Sequence, residues 1–295
     1  MTTKTTTFKA GLVIALLGFS LFAFAPAGAI EGESIVLSPA SIRLKADSGQ
    51  TVKDTFKVIN DGTQAYDFVV YASPYSVANR TYTPNYDQKK PDADLYTWVS
   101  FEKDVYTLNP GETVDIPYTI AVPADAAPGG HYSVLFAETQ VNGDQSSQIA
   151  RKKRVGAIVY ATVAGDYITA GKQLSTNIDW LQLGGPIVAT VFVENTGNVD
   201  FTMTESILIK NIVGAKVYQE TNEKVMLPKT TRDLELSWKN GPLMGLYNVT
   251  VETKILDKVT STNTWVLLMP MWILVVSILA IGGLIYWVVR SRRPR

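Results

Sequence analysis

The 295-residue sequence predicts an all-β protein: two tandem β-sandwiches followed by one C-terminal transmembrane helix. Three observations lead there. Between residues 34 and 260 apolar side chains recur with period two, in segments separated by turn signals. A set of turn landmarks occurs twice in the same order. Residues 265–289, "WVLLMPMWILVVSILAIGGLIYWVV", run for 25 positions without a charge.

The strands come first. In "VDIPYTIAV" (114–122) Val114, Ile116, Tyr118, Ile120 and Val122 share one side of a pleated chain. "YDFVVYA" (66–72), "RDLELSWK" (232–239) and "LYNVTVETKI" (246–255) alternate in the same way, with Leu234, Leu236 and Trp238 facing inward. Asn60-Asp61-Gly62, Asn109-Pro110-Gly111, Asn142-Gly143-Asp144 and Asn240-Gly241-Pro242 supply the reversals between them. No stretch of this region sustains a 3.6-residue period, so helices are not expected in it.

The repeat divides the region in two. "VINDGTQAYDF" (58–68) is followed by a Leu-x-Pro turn at 108–110 and a Gly-x-Tyr strand start at 130–132. "VENTGNVDF" (193–201) is followed by "LPKTT" (227–231) and by Gly-x-Tyr at 245–247. From Pro110 to Tyr132 is 22 positions and from Pro228 to Tyr247 is 19, but Asn60 to Pro110 is 50 against 33 for Asn195 to Pro228. The first copy therefore carries about 17 extra residues before its proline turn. The expected domains are 31–166 and 170–258, with "TSTNT" inside a short tether at 259–264. "LPKTT" mimics the start of a sortase signal but lies inside the second domain, so it reads as a strand turn.

The ends belong to export and anchoring. Lys4 and Lys9, the uncharged run 11–25 and the small residues Ala27 and Ala29 make residues 1–29 a signal peptide, cleaved after Ala29. The run 265–289 exceeds the roughly 20 apolar residues that a span requires. Trp265, Trp272, Tyr286 and Trp287 lie near its two ends, where such rings favour the membrane interface. The basic tail 290–295, "RSRRPR", holds the C-terminus in the cytoplasm and leaves both domains outside, in a single-pass cell-membrane protein.

Charge and composition narrow the function. The 27 basic and 27 acidic residues balance overall, but six of the basic ones lie at the two ends, so the middle has an acidic excess of six. Nucleic acid is not the expected partner of such a field. The absence of cysteine excludes disulfides, thiolate metal sites and thiol nucleophiles. His131 is the only histidine; it opens a strand after two glycines and is expected at a turn or rim. No catalytic residue, metal site or cofactor is expected.

Residues 34–75 and 98–139, with their Asn-x-Gly, Pro-Gly-Glu and Gly-x-Tyr turns, resemble the first domain of the WxL-interacting proteins, exported surface proteins of Gram-positive bacteria. The resemblance extends to the whole layout. It implies two immunoglobulin-like domains, a C-terminal membrane helix and a basic tail. It also implies that the first domain binds peptidoglycan and that the second engages surface proteins. The second domain here is shorter than that family's, and no long wall-spanning region is present.

Two surfaces follow as candidates. The extra segment 75–101 holds Tyr75, Tyr82, Tyr86 and Tyr96, rings able to stack on sugars or to anchor a protein partner. Trp98 and Phe101, at strand spacing, are expected in the core. Arg151, Lys152, Lys153 and Arg154 form a cationic run suited to anionic wall polymers or lipid head groups. The expected function is a membrane-anchored bacterial adhesion or binding protein. The alternatives are a structural or accessory subunit of a secretion, pilus or transporter assembly, and a tethered wall hydrolase that would need a paired-carboxylate cleft.

Overall fold

The alternating segments become strands in the computed structural model, which describes Gly32 and residues 34–140 and 152–291. The first sandwich contains β1 (Ile35–Ser38), β2 (Ser41–Ala46), β3 (Thr51–Asn60), β4 (Tyr66–Pro74), a small hairpin of β5 (Ser76–Ala78) and β6 (Thr83–Asn85), and a 3-10 turn over Leu95–Thr97. It continues with β7 (Val99–Phe101), β8 (Val105–Leu108), β9 (Thr113–Ala121), β10 (Gly129–Thr139) and β11 (Arg154–Val163). One sheet has the order β1-β3-β9-β7, the other β2-β11-β10-β4-β8. The second sandwich contains β12 (Gly171–Asn177), β13 (Leu181–Gln182), β14 (Ile187–Asn195), β15 (Phe201–Asn211), β16 (Lys216–Met226), β17 (Thr230–Trp238), β18 (Gly245–Ile255) and β19 (Lys258–Leu268). Its sheets are β12-β14-β17 and β13-β19-β18-β15-β16.

The two strand orders correspond, apart from β7, which extends only the first sandwich. In each copy one short strand pairs parallel with the last long one, β2 with β11 and β13 with β19, and the other pairings are antiparallel. Both are immunoglobulin-like sandwiches. Alternation decides which residues are inside: Phe56, Val58, Phe68, Ile116, Ile120, Leu135 and Val159 build the first core, and Ile187, Val191, Met203, Ile207, Leu236, Val249 and Val266 build the second.

The repeated landmarks make repeated contacts. Asn60 and Asn195 are both fully buried at the ends of β3 and β14. Each accepts a bond on Oδ1 from the glycine N–H two residues on, at 3.1 Å from Gly62 and 2.9 Å from Gly197. In the Gly-x-Tyr starts, the tyrosine ring folds back over its glycine: a Cβ on Gly130 would lie 1.9 Å from the Tyr132 hydroxyl, and one on Gly245 would lie 2.6 Å from that of Tyr247. Any other residue at these two positions collides with the ring.

Three boundaries differ from the sequence expectation. Residues 259–264 are not a tether: β19 runs through them to Leu268, pairs along its length with β18, and buries Val266 and Leu268. Trp265 is therefore a strand residue opposite Asn248, not part of a membrane helix. The helix, α1 (Met271–Ser291), starts after Pro270, whose carbonyl accepts from the Ile273 N–H at 3.0 Å. It buries no residue, has a mean hydropathy of 2.4 in its most apolar window, and is long and apolar enough to cross a membrane. At 1.5 Å per residue its 21 residues reach about 31 Å, one hydrocarbon thickness. Trp272, Tyr286 and Trp287 lie on it, all exposed. The proposed signal peptide with its cleavage after Ala29, Arg151, and the tail beyond Ser291 lie outside the described residues.

Candidate functional site

The extra segment of the first sandwich reaches across to the second, where Tyr82 is its main aromatic contact. Tyr82, held in a left-handed backbone conformation (φ 60°), inserts its ring into the turn between β16 and β17. Its hydroxyl accepts from the Leu227 N–H at 3.0 Å and makes a short hydrogen bond with the Thr230 hydroxyl. The Arg232 guanidinium covers the ring at 4.3 Å from its centre. Two residues earlier, Arg80 donates through Nε to Asp233 Oδ1 at 2.7 Å, while its carbonyl accepts from the Asp233 N–H at 2.9 Å. Tyr75 is buried against Tyr160 in a small apolar cluster with Val77, Tyr132 and Leu227, which draws on both sandwiches.

The four candidate tyrosines do not come together on one surface. Tyr82 is half-buried beneath Arg232, and Tyr75 is buried except where it lines the cleft described below. Tyr86 is half-buried and stands edge-on to Phe136, at 5.1 Å between centres. Tyr96 sits apart, half-buried in the 3-10 turn. Trp98 is buried and Phe101 packs against the same core, as strand spacing predicts.

A second set of contacts ties the domains from the other side. Asp200, just before β15, is 2% exposed at its side chain and accepts from Arg43 at 2.6 Å and from the Tyr132 hydroxyl at 3.1 Å. The Tyr132 hydroxyl in turn accepts from the Asp200 N–H at 2.9 Å. Burial, with the Asp200 charge beside it, pushes the Tyr132 phenol far above its usual range. The backbones also meet, with the Gly130 N–H donating to Asn198 O at 2.8 Å. The "VENTGNVDF" turn thus carries both the repeat asparagine and the residues that face the first sandwich.

Between these contacts lies a cleft of about 480 Å³. Its walls include Tyr75, Pro91, Pro128 and Pro228, and its polar residues are Ser76, Lys90, Asp92, His131, Asn198, Lys229 and Thr230. The Ser76 hydroxyl is buried and has no hydrogen-bond partner among the described residues. Burial raises the Asp92 carboxyl above the ordinary carboxylate range, and Lys90 and Lys229 offset only part of that. Lys229, exposed and with a left-handed backbone (φ 53°), stands on the β16–β17 turn that "LPKTT" forms.

His131 is not a rim residue. It is 5% exposed, with Nδ1 2.6 Å from Asp94 Oδ1 and Nε2 2.9 Å from Ala127 O. Both partners are acceptors, so both ring nitrogens must donate, which requires the charged imidazolium. Burial opposes that charge, but the bonds to Asp94 and Ala127 and the charges of Asp94 and Asp92 outweigh it and raise the pKa. With both nitrogens engaged, the ring is a tie between the extra segment and β10 rather than a base. The 87–94 stretch is tied down at its end: Asp94 holds His131, and the Asp92 carbonyl accepts from the Tyr132 N–H at 2.7 Å.

The cationic run is partly occupied. Lys152 pairs with Glu138 at 3.5 Å. Arg154 lies over the Phe136 ring at 4.4 Å and donates to the Tyr71 hydroxyl at 3.4 Å. Lys153 pairs its backbone N–H with the Thr139 hydroxyl at 3.0 Å.

No family model and no curated protein matches this chain. Among solved structures, the class 5 fimbriae chaperone CfaA is 12% identical with a TM-score of 0.41, over 79% of this chain and 99% of that one. The Escherichia coli chaperone DraB is 8% identical with a TM-score of 0.41, over 80% and 98%. A chain of the CsuC–CsuE chaperone-tip adhesion subunit complex of Acinetobacter baumannii is 9% identical with a TM-score of 0.40, over 78% and 98%.

Proposed function

We propose that this is a bacterial cell-surface binding protein, anchored by α1 with its two sandwiches outside the membrane and its C-terminus inside. The orientation rests on the arginines that follow the helix. The observation that carries a binding role is the junction cleft. On its largely apolar surface converge two lysines, one carboxyl and one unpartnered buried hydroxyl, polar groups of the kind that orient a ligand in a concave site. The resemblance to WxL-interacting proteins names peptidoglycan or a partner surface protein as the ligand. This reading does not include catalysis: the histidine is tied on both sides, and the cleft is lined by one carboxyl, Asp92, rather than the pair a wall hydrolase would use.

The test is co-sedimentation of the full-length protein, in proteoliposomes, with purified peptidoglycan. Retention that falls on Lys229→Glu and on Ser76→Leu, which projects a larger side chain into the cleft, supports the reading. Absence of retention by the unaltered protein counts against the wall polymer, and retention unchanged by both variants counts against the cleft.

A second reading, an accessory subunit of a membrane assembly, has one observation in its favour. Strand β16 is 11 residues long and stands at the edge of its sheet, paired only with β15. Its outer main chain is a template on which a partner strand can add.

A further inference from the structure

We propose that the second sandwich rests its membrane-proximal rim directly on the lipid bilayer, with three turns entering the interface beside the helix. This rests on the reading that α1 crosses the membrane.

The strand registers place these turns at one end. Gly245 pairs with Leu268, the last residue of β19 before the helix. Asn211, at the end of β15, pairs with Tyr247, and Ile187, at the start of β14, pairs with Trp238, at the end of β17. The turn segment 178–186, which carries the two-residue β13, and the turns 212–215 and 239–244 therefore all face the side from which α1 leaves. The first is also tied to the exit point: Met269 N–H donates to Gln182 O at 3.0 Å, and Gly184 N–H donates to Met269 O at 3.1 Å.

Each turn presents large apolar side chains to solvent: Trp180 and Leu183, Ile212 and Val213, Leu243 and Met244. All six are between 44% and 79% exposed. At the opposite end, which meets the first sandwich, the turn residues Val199 and Leu227 are buried, at 5% and 4%, while Ile168 and Val259 are exposed singly, on the linker and on β19. Six exposed apolar residues gathered on three turn tips have no structural role within the sandwich. The polar residues around them fit a membrane surface. Lys210, Lys216 and Lys239 flank the tips against a single acid, Asp179, in a middle region that is otherwise acidic. Lysine beside tryptophan and leucine is the composition of a surface that meets head groups with its charges and the acyl boundary with its rings.

Geometry then selects the bilayer as occupant. Only Met269 and Pro270 separate β19 from α1. Two residues span at most about 7 Å, and Met269 is already bonded on both sides to the first turn. If the helix is in the membrane, the rim cannot stand off from it.

The chain has no cysteine, so single nitroxide labels can be placed on the full-length protein without altering other sites. Labels at Val213→Cys and Leu243→Cys, both on exposed tips, are compared in phosphatidylcholine–phosphatidylglycerol vesicles with Leu279→Cys on α1 and Thr55→Cys on β3. Relaxation by oxygen and by a nickel chelate reports depth. The expected result is hydrocarbon depth for Leu279, aqueous exposure for Thr55, and a severalfold loss of nickel accessibility with retained oxygen accessibility at Val213 and Leu243. Rim labels as open to nickel as Thr55, with Leu279 in hydrocarbon, overturn the docking alone. Leu279 outside hydrocarbon overturns the anchor and the docking with it. Rim labels shielded from both relaxants mean that protein covers the tips, and the lipid assignment falls.

Discussion

Asn60 and Asn195 are 135 positions apart and make the same hydrogen bonds. Asn60 Nδ2 donates to Gln64 O at 2.8 Å and to Leu108 O at 3.2 Å, and Asn195 Nδ2 donates to Val199 O and Met226 O, both at 2.9 Å. In each case one acceptor lies four residues on and the other lies two residues before the proline of the next turn. One amide thus closes its own loop and ties it to the next one. No other residue type offers two donors and one acceptor at this length.

Asn60→Ala and Asn195→Ala are each expected to destabilise their own sandwich by about 3 kcal/mol, since two carbonyls and one glycine N–H lose their partner in a buried place. Asn→Asp keeps the acceptor and removes the donors, and should cost at least as much because it buries a charge. Hydrogen exchange resolved by segment reads this out: protection falls in β3 and β4 for the first substitution, and in β14 and β15 for the second. Equal loss in both domains would show that the sandwiches do not unfold separately.

The equivalence of these asparagines was legible in the sequence, because a buried turn of this kind needs its donor, its glycine and the following aromatic residue at fixed spacing. Burial alternation was legible for the same reason: it is a property of neighbours along the chain. The role of the extra segment was not. Its tyrosines look alike in sequence whether they cover protein or wait for a ligand, and the partner of Tyr82 is 148 positions away at Thr230. The start of the helix was also hidden. In β19, Val266 and Leu268 point into the core while Trp265 is half exposed, yet all of them merge with the apolar helix in a hydropathy profile. His131 was misplaced because its partner Asp94 is 37 positions upstream.

The strap formed by Arg80 and Tyr82 should set the rigidity of the ectodomain. Tyr82→Phe leaves the Leu227 N–H and the Thr230 hydroxyl without their shared partner, a loss of about 1–3 kcal/mol in the contact between sandwiches. Each sandwich keeps its core, so the thermal transition of the isolated folds is expected to stay in place. Exchange should rise in the turn 227–230 and at Arg80. A double substitution with Arg80→Ala is expected to separate the domains measurably by paired spin labels on β3 and β18. An unchanged interlabel distance distribution would show that the Asp200 contacts suffice alone.

Glu205 makes the second sandwich sensitive to pH. It lies on the inward face of β15 between Met203 and Ile207, is 1% exposed, and its Oε2 has no partner among the described residues. Burial raises its pKa from 4.5 to about 7, with Lys224 and Arg232 pulling it down and Glu220 adding to the rise. Its folded pKa is above its unfolded one, so the stability it contributes is fully present below about pH 4.5 and is lost as the pH rises to about 7. The loss corresponds to about 3 kcal/mol. Glu205→Gln should abolish this slope and leave the variant more stable than the parent at pH 8. Denaturant midpoints followed through exchange in β15 and β18 check it. A slope that survives the substitution would assign the pH dependence elsewhere, with His131, whose raised pKa acts in the same direction, as the next group to replace.

The boundary of the ectodomain follows from β19. A soluble chain stopped at residue 264, where the start of the uncharged apolar run puts the end of the tether, lacks Trp265–Leu268. Those four residues pair with Gly245–Asn248, and two of them also pair with β13. Val266 and Leu268 are 0% and 1% exposed in the second core. Their removal forfeits about 3–6 kcal/mol of apolar burial and leaves the first four residues of β18 and all of β13 without a ladder partner on that side. Such a chain is expected to lose cooperative unfolding of its second sandwich, while one that ends after Met269 keeps it and also retains the Met269 N–H bond to Gln182 O and the Gly184 N–H bond to Met269 O. Differential scanning calorimetry of the two chains distinguishes them. A single shared profile would mean that the last four residues of β19 are held by the helix rather than by the sheet.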